Sequence, residues 1–245
     1  MLTRRALSLL AFAALPARAA APRIVVAGGG IAEIVCALGA GGHIVGVDST
    51  ALFPTALRAL PQVGYLRNLG AEGVLSLAPD LLLAAHDAGP SEVIGQLARA
   101  GLRIVRTPRI HDAASLLEAV AVVAAALHLT AEGVQLITAL ADDFATLRGA
   151  VAASPARPSA VFVLAIGGGA PQAAGRETAA DAMLSLAGVR NVITDYRGYR
   201  PVSAEALLAA EPSAVVTTNH TIEALGGPAG LAAVPALAVL RAVRT

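Results

Sequence analysis

Tyr65 and Arg67 lie two residues apart in the stretch Val63-Gly64-Tyr65-Leu66-Arg67-Asn68-Leu69, and they carry the most suggestive chemistry in the chain. A phenol oxygen with a cation beside it can act as a ligand. The competing reading is a loop tyrosine packing its ring over the end of a sheet. Tyrosine is scarce, with three in 245 residues and no tryptophan, and aromatics make up 3% of the chain. His86 and His220 each end an apolar run, Leu81 to Ala85 and Ala214 to Thr218. In an open parallel sheet, ligands bind beyond the carboxyl ends of the strands, so both imidazoles could face a ligand there. The alternative for each is a solvated histidine at a strand end. Glu72 and Glu205 each fall in the first turn of a helical stretch, where the helix dipole favours a carboxylate. One acid in each half could also dock a partner with two-fold symmetry.

The elements that position these residues read as α/β. Arg23 to Ala27 is a β-branched run that meets Gly28-Gly29-Gly30 and then a helical pattern, Ala32 to Leu38. A dinucleotide fingerprint would need a glycine where Glu33 stands, and Asp48 is the candidate ribose partner by spacing alone. Further strands are expected at His43 to Val47, Leu81 to Ala84 and Leu102 to Arg106, giving a first lobe of four parallel strands. A helix with a capping-type start at Ser91 separates the last two strands. From His111 onward the pattern is helical. Asp112 can cap one helix and Thr130 with Glu132 can start the next, which runs to Ala153 and is long enough to join two lobes.

The rest of the chain repeats the first part. Ala71-Glu72-Gly73-Val74-Leu75-Ser76-Leu77-Ala78-Pro79-Asp80 aligns with Ala204-Glu205-Ala206-Leu207-Leu208-Ala209-Ala210-Glu211-Pro212-Ser213 at an offset of 133 residues, and each copy runs into an apolar strand. At that offset Tyr65 falls on Gly198, beside Tyr199. Two similar lobes joined by a helix leave a cleft, which both tyrosine loops should face.

Composition removes several function classes. The net charge of +1 gives no basic face for nucleic acid. The single cysteine, Cys36, excludes an intramolecular disulfide and a cysteine metal cluster, and reads as a core residue. No nucleophile, base and oxyanion group assemble into an enzyme site. The start is an export signal. Arg4-Arg5 precede an apolar run from Ala6 to Leu15, and Ala17-Arg18-Ala19 sets cleavage after Ala19, by a general secretory or a twin-arginine route.

Several stretches together resemble the periplasmic haem-binding proteins of bacterial haem ABC importers, in the helix-linked class that also serves cobalamin and siderophores. They are Gly28 to Val35, Val45 to Thr50, Val63 to Arg67, Glu72 to Asp80, Asp87 to Pro90, Gly175 to Met183 and Thr194 to Glu205. The resemblance implies two Rossmann-like lobes with parallel central sheets: residues 20–130, a linking helix 131–153, and an incomplete, truncated second lobe 154–245, after a signal peptide 1–19. Family members continue with another strand where this chain stops at Arg244-Thr245, so the resemblance implies a second lobe of three strands with an exposed sheet edge. It implies that Tyr65 is the axial ligand of ferric haem b held non-covalently as cargo, with Arg67 hydrogen-bonding the phenolate. Phenolate favours Fe(III), and a free phenol titrates near pH 10, so it needs such help. Tyr199 would meet the porphyrin or a propionate, with His86 and His220 as further contacts. Glu72 and Glu205 would meet the permease dimer of the importer. The expected product is a periplasmic monomer that touches the membrane only through that permease. Residues 165–169 hold no histidine, so one five-coordinate haem is expected. The same fold binding cobalamin or a ferric siderophore stays open beside it, and an exported enzyme is the more remote alternative.

Overall fold

The computed structural model describes residues 22–164 and 171–240; the expected export signal and the glycines at 167–169 lie outside them. In the first lobe, β1 (Ile24–Ala27) is followed by α1 (Gly29–Ala37), β2 (Ile44–Val47), a two-stranded ribbon of β3 (Gly64–Tyr65) and β4 (Asn68–Leu69), α2 (Ala71–Ser76), β5 (Leu81–Ala84), α3 (Ser91–Arg99) and β6 (Arg103–Arg106). The sheet order is β2-β1-β5-β6, all parallel. β1 and β5 are buried at every residue, as continuous apolar runs between two helical layers should be. On one face Ile24, Val26, Leu81 and Leu83 pack with α1 and a later helix, α4 (Ala113–Ala126); on the other, Val25, Leu82 and Leu97 pack with Val74 of α2. The expected four-strand lobe is present. Ser91 does not cap α3: Pro90 holds the cap position and makes no side-chain bond.

Asp112 does cap α4, accepting from the Ser115 amide at 2.8 Å in a capping box. Helix α5 (Thr130–Ala153) follows, with Thr130 inside the helix and Leu129 at its cap position. Its first half lies on α4, where Gly133 permits the contact: a Cβ there would sit 2.5 Å from the Ala124 Cβ. Its last turn reaches the second lobe, with Val151 against Gly188.

The second lobe contains β7 (Ser159–Leu164), β8 (Gln172–Ala174), α6 (Ala179–Leu186), β9 (Arg190–Asn191), β10 (Tyr199–Pro201), α7 (Ala204–Ala210), β11 (Ala214–Val216), α8 (Asn219–Ala224) and α9 (Pro228–Ala233). Among the described residues its sheet has five strands, not the three expected, and it is mixed. β9 and β11 run parallel to β7, while β8 and β10 add an antiparallel arm. β10 contains Pro201, which a strand tolerates at an edge where its missing N–H is not needed. Leu237 and Leu240 close the core of this lobe against Val161, Val163 and Leu207. The 133-residue repeat holds in the backbone: α2 and α7 start in register, as do β5 and β11, and the matched residues Ala78 at φ 44° and Glu211 at φ 45°, just beyond the two helices, both turn left-handed.

Candidate functional site

Tyr65 sits on a two-residue β-hairpin, not a loop, with Leu66 and Arg67 at the turn. Gly64 makes the hairpin possible: its φ is +103° and a Cβ would stand 2.8 Å from the Asn68 carbonyl. The hairpin is tied down on two sides by loops from the carboxyl edge of the sheet. The Ser49 amide donates to the Gly64 carbonyl at 2.9 Å. The Leu69 amide donates to the Gly89 carbonyl and the Gly89 amide to the Leu66 carbonyl, at 2.8 and 2.9 Å.

Asp48 is the anchor of this arrangement. It is fully buried, and its carboxylate accepts from the Gly28 amide (2.7 Å), the Thr50 amide (3.0 Å), the Thr50 hydroxyl (3.0 Å) and the Leu66 amide (3.1 Å). One side chain thus joins the glycine turn, the loop after β2 and the tyrosine hairpin. This disposes of the nucleotide reading. The Gly29 amide already donates to the Thr50 hydroxyl at 2.9 Å, and the Thr50 backbone lies against Gly29, so the turn is filled by the protein's own groups and has no open phosphate cradle.

The Tyr65 ring is 45% exposed and its hydroxyl has no hydrogen-bond partner among the described residues. Arg67 does not bond to it. Its guanidinium donates through Nε and Nη2 to Asp87 Oδ2, at 2.8 and 2.6 Å. The Asp87 bond is the main cause that raises the Arg67 pKa, and Tyr65 adds the least of the electrostatic contributions. Burial pushes the Asp87 carboxyl up, but the Arg67 hydrogen bond and the charges of His86 and Arg67 outweigh it, and the net shift is down. His86 Nδ1 lies 3.5 Å from Asp87 Oδ1. Arg106, at the end of β6, donates to the carbonyls of His86 and Ala88 and so fixes the loop that holds Asp87. His86 also lines a pocket of about 240 Å³ with Gly28, Ala85, Thr107 and Ile110, all just beyond strand ends.

Tyr199 is on β10 of the other lobe, with its ring edge-on to Phe162 at 6.4 Å. Burial raises its phenol pKa, against the pull of the Ala180 backbone, the Thr178 side chain and the Arg109 charge. Arg109 belongs to the first lobe, in the loop after β6, and its Nη2 donates to the Glu177 carbonyl of the second lobe at 2.9 Å. The carboxyl edge of the first sheet therefore faces the Tyr199 wall. Between the lobes lies a small apolar pocket, about 130 Å³, lined by Ile110, Leu116, Phe144 of α5, and Ala182, Met183 and Leu186 of α6.

The structure thus groups Tyr65, Arg67 and His86 at one wall, with Tyr199 opposite. His220 is not brought to them. The strand β11 ends at Val216, and His220 is an exposed residue in the first turn of α8, without a hydrogen bond to any of the others. Glu72 and Glu205 are exposed in the first turns of α2 and α7. Asp87, Arg106 and Arg109 carry geometry that the sequence assigned to no site, and Asp48, a ribose partner by spacing alone, is instead the buried anchor of the tyrosine hairpin. The strand-end rule applied to His86 would have singled out Arg109 at the exit of β6 had it been used there too.

Residues 24–245 match the sequence profile described as periplasmic binding protein. The chain belongs to the periplasmic binding protein family. The periplasmic haem-binding protein BhuT, solved in complex with two haems, shares 39% identity and superposes with a TM-score of 0.84 over 91% of this chain and 86% of its own. The periplasmic haem-binding protein RhuT from Roseiflexus sp. RS-1, solved in apo form, shares 35% identity with a TM-score of 0.86 over the same 91% and 86%. An uncharacterised ABC transporter substrate-binding lipoprotein of Bacillus subtilis (strain 168) is 27% identical over 191 residues, 76% of this chain and 60% of its own. The vitamin B12-binding protein of Yersinia pestis (strain Pestoides F) is 30% identical over 106 residues, 43% of this chain and 38% of its own. The chain thus spans less than two thirds of the length of these last two relatives.

Proposed function

We propose that this protein captures haem in the cleft between its lobes, in the periplasm, and delivers it to the permease of an ABC importer. The observation that carries the reading is Tyr65: an exposed phenol with an unpartnered hydroxyl, presented by a hairpin tied to two strand-end loops, with a guanidinium two residues away. A hard anionic oxygen suits Fe(III). In this reading Tyr65 is the axial ligand, and Arg67 supplies positive charge that favours the phenolate form. Tyr199 and His86 contact the porphyrin from the two walls. His220 is assigned no more than an outer contact. Relatives named as haem-binding, at 39% and 35% identity across most of both chains, support haem as the cargo.

Glu72 and Glu205 would meet cationic residues of the permease dimer. Each is followed one turn later by an exposed leucine, Leu75 at 37% and Leu208 at 48%, so the repeat offers the same acid-plus-apolar surface twice. A two-fold partner fits that duplication.

The test is an absorption titration of the purified protein with haemin, with Tyr65→Ala beside wild type. Wild type should develop a Soret band and a tyrosinate-to-iron charge-transfer band, and the variant should lose the latter with most of its affinity. Identical spectra and affinities for both proteins would end the assignment. The identity shared with a vitamin B12-binding protein makes cobalamin the second reading. Competition between haemin and cyanocobalamin separates the two.

A further inference from the structure

The loop that leaves β6 carries a cation that the proposed function has not used. Arg109 is exposed at the carboxyl edge of the first sheet, and it reaches across to the second lobe, where its Nη2 donates to the Glu177 carbonyl at 2.9 Å. A guanidinium is a fork of donors, and this bond uses a single one of them. Among the described residues no carboxylate pairs with it. The acid of its own neighbour is spent elsewhere, since Glu177 Oε1 accepts from Arg197 Nε at 3.0 Å. Other arginines of this region are matched: Arg67 to Asp87, Arg106 to two backbone carbonyls, and Arg200 over the Tyr196 ring at 5.2 Å. Among the described residues Arg176 also lacks a side-chain partner, and no hydrogen bond or ion pair joins its side chain to the first lobe.

The surroundings of Arg109 place it beside Tyr199. Glu177 follows Arg176, whose carbonyl accepts from the Gly198 amide at 2.9 Å, and the Gly175 amide donates back to the Gly198 carbonyl at 2.9 Å. Thr178, next along, caps α6 through the Asp181 amide, and its side chain also acts on the Tyr199 hydroxyl. The Arg109 charge is felt at the same phenol. A cation from one lobe and a hydroxyl from the other therefore converge at the cleft, with the guanidinium's remaining donors unspent.

We propose that Arg109 is the carboxylate-binding point of the cleft, taking a propionate of the bound porphyrin on its free guanidinium donors with the Tyr199 hydroxyl as a second contact. The assignment rests on the haem reading. Because Arg109 also holds the Glu177 carbonyl, the ligand carboxylate is linked through it to both lobes at once. A planar donor fork suits a carboxylate better than an ammonium does.

The experiment compares haemin with haemin dimethyl ester, whose carboxylates are masked, on wild type, Arg109→Gln, Arg109→Lys and Arg176→Gln, with thermal midpoints as a control on folding. Arg109→Gln should bind haemin about ten- to hundredfold more weakly, as for loss of a charged hydrogen bond, yet bind the ester as wild type does. Its charge-transfer band should stay in place, since Tyr65 is untouched. Arg109→Lys should recover part of the loss. Haemin affinity unchanged in Arg109→Gln, equal losses for both ligands, or a selective loss in Arg176→Gln alone would overturn the assignment while leaving the haem reading standing. Failure of wild type to bind either compound would overturn both.

Discussion

Arg67 shows how a charge can be present at a site and yet be committed to another group. Its guanidinium is bound to Asp87, so what reaches Tyr65 is an electrostatic influence and not a hydrogen bond. The Asp87 carboxyl is held below its ordinary range by Arg67 and His86, in spite of burial that acts the other way. A carboxyl whose folded-state pKa is lowered stabilises the fold above its unfolded pKa, and that contribution is lost as the pH falls through the folded value. The Arg67–Asp87 pair is largely solvated, so it contributes at most about 1 kcal/mol. Thermal midpoints measured from pH 7 down to below about pH 4 should therefore fall slightly less steeply for Asp87→Asn than for wild type. An identical acid slope would show that the pair does not couple to folding. Cys36 supplies a second test at this scale. Burial first, and Glu33 second, push its thiol pKa up. Alkylation of the native protein at pH 8 should thus run slower than after denaturation, since the thiolate is the reactive form.

The element that matters most is the β3–β4 hairpin, which owes its place to a residue outside it. Asp48 accepts four hydrogen bonds from three segments while fully buried. Asp48→Ala would strand those donors, and should cost roughly 3 kcal/mol or more in denaturant unfolding. Gly64→Ala tests the hairpin itself: a methyl at φ +103°, pressed against the Asn68 carbonyl, should cost roughly 1–3 kcal/mol and weaken haemin binding together. A Gly64→Ala protein with wild-type affinity would show that Tyr65 does not need this hairpin. Asp112 acts only on stability, so Asp112→Ala should cost about 1 kcal/mol without touching the haemin spectrum.

At the scale of the molecule, α5 joins the lobes as 24 continuous helical residues, with α4 packed along its first half and Val151 lodged at Gly188 near its end. A continuous helix has no hinge residue to absorb large dihedral changes, so closure on a ligand should be small. Small-angle scattering should give the same radius of gyration with and without haemin. The proposed docking role of Glu72 and Glu205 predicts a different separation of effects. Charge reversal at both sites, Glu72→Lys with Glu205→Lys, should leave haemin affinity unchanged and abolish uptake through the importer; retained uptake would remove the acids from the interface.

Within the chain, local periodicity made the first lobe legible. Strands β1, β2 and β5 are apolar runs, buried or nearly so, such as Leu81 to Ala84, and with the edge strand β6 they pair in a parallel sheet signalled by apolar continuity and intervening helices. The repeat at 133 residues was equally plain, because Ala, Glu, Leu and Pro recur in register. The antiparallel arm of the second lobe was not. Gln172–Ala174 and Tyr199–Pro201 are three residues each, one carrying a proline, and such segments become strands only when a neighbour offers hydrogen bonds. Residue pattern along the chain specified two α/β lobes, the long helix α5 and Tyr65 as the residue to test. Tertiary structure alone decided the roles of Asp48, Asp87 and Arg109, since each acts on a partner 18, 20 or 68 residues away. Side-chain partners at such separations follow from how the chain returns on itself, and no local pattern of residue types encodes them.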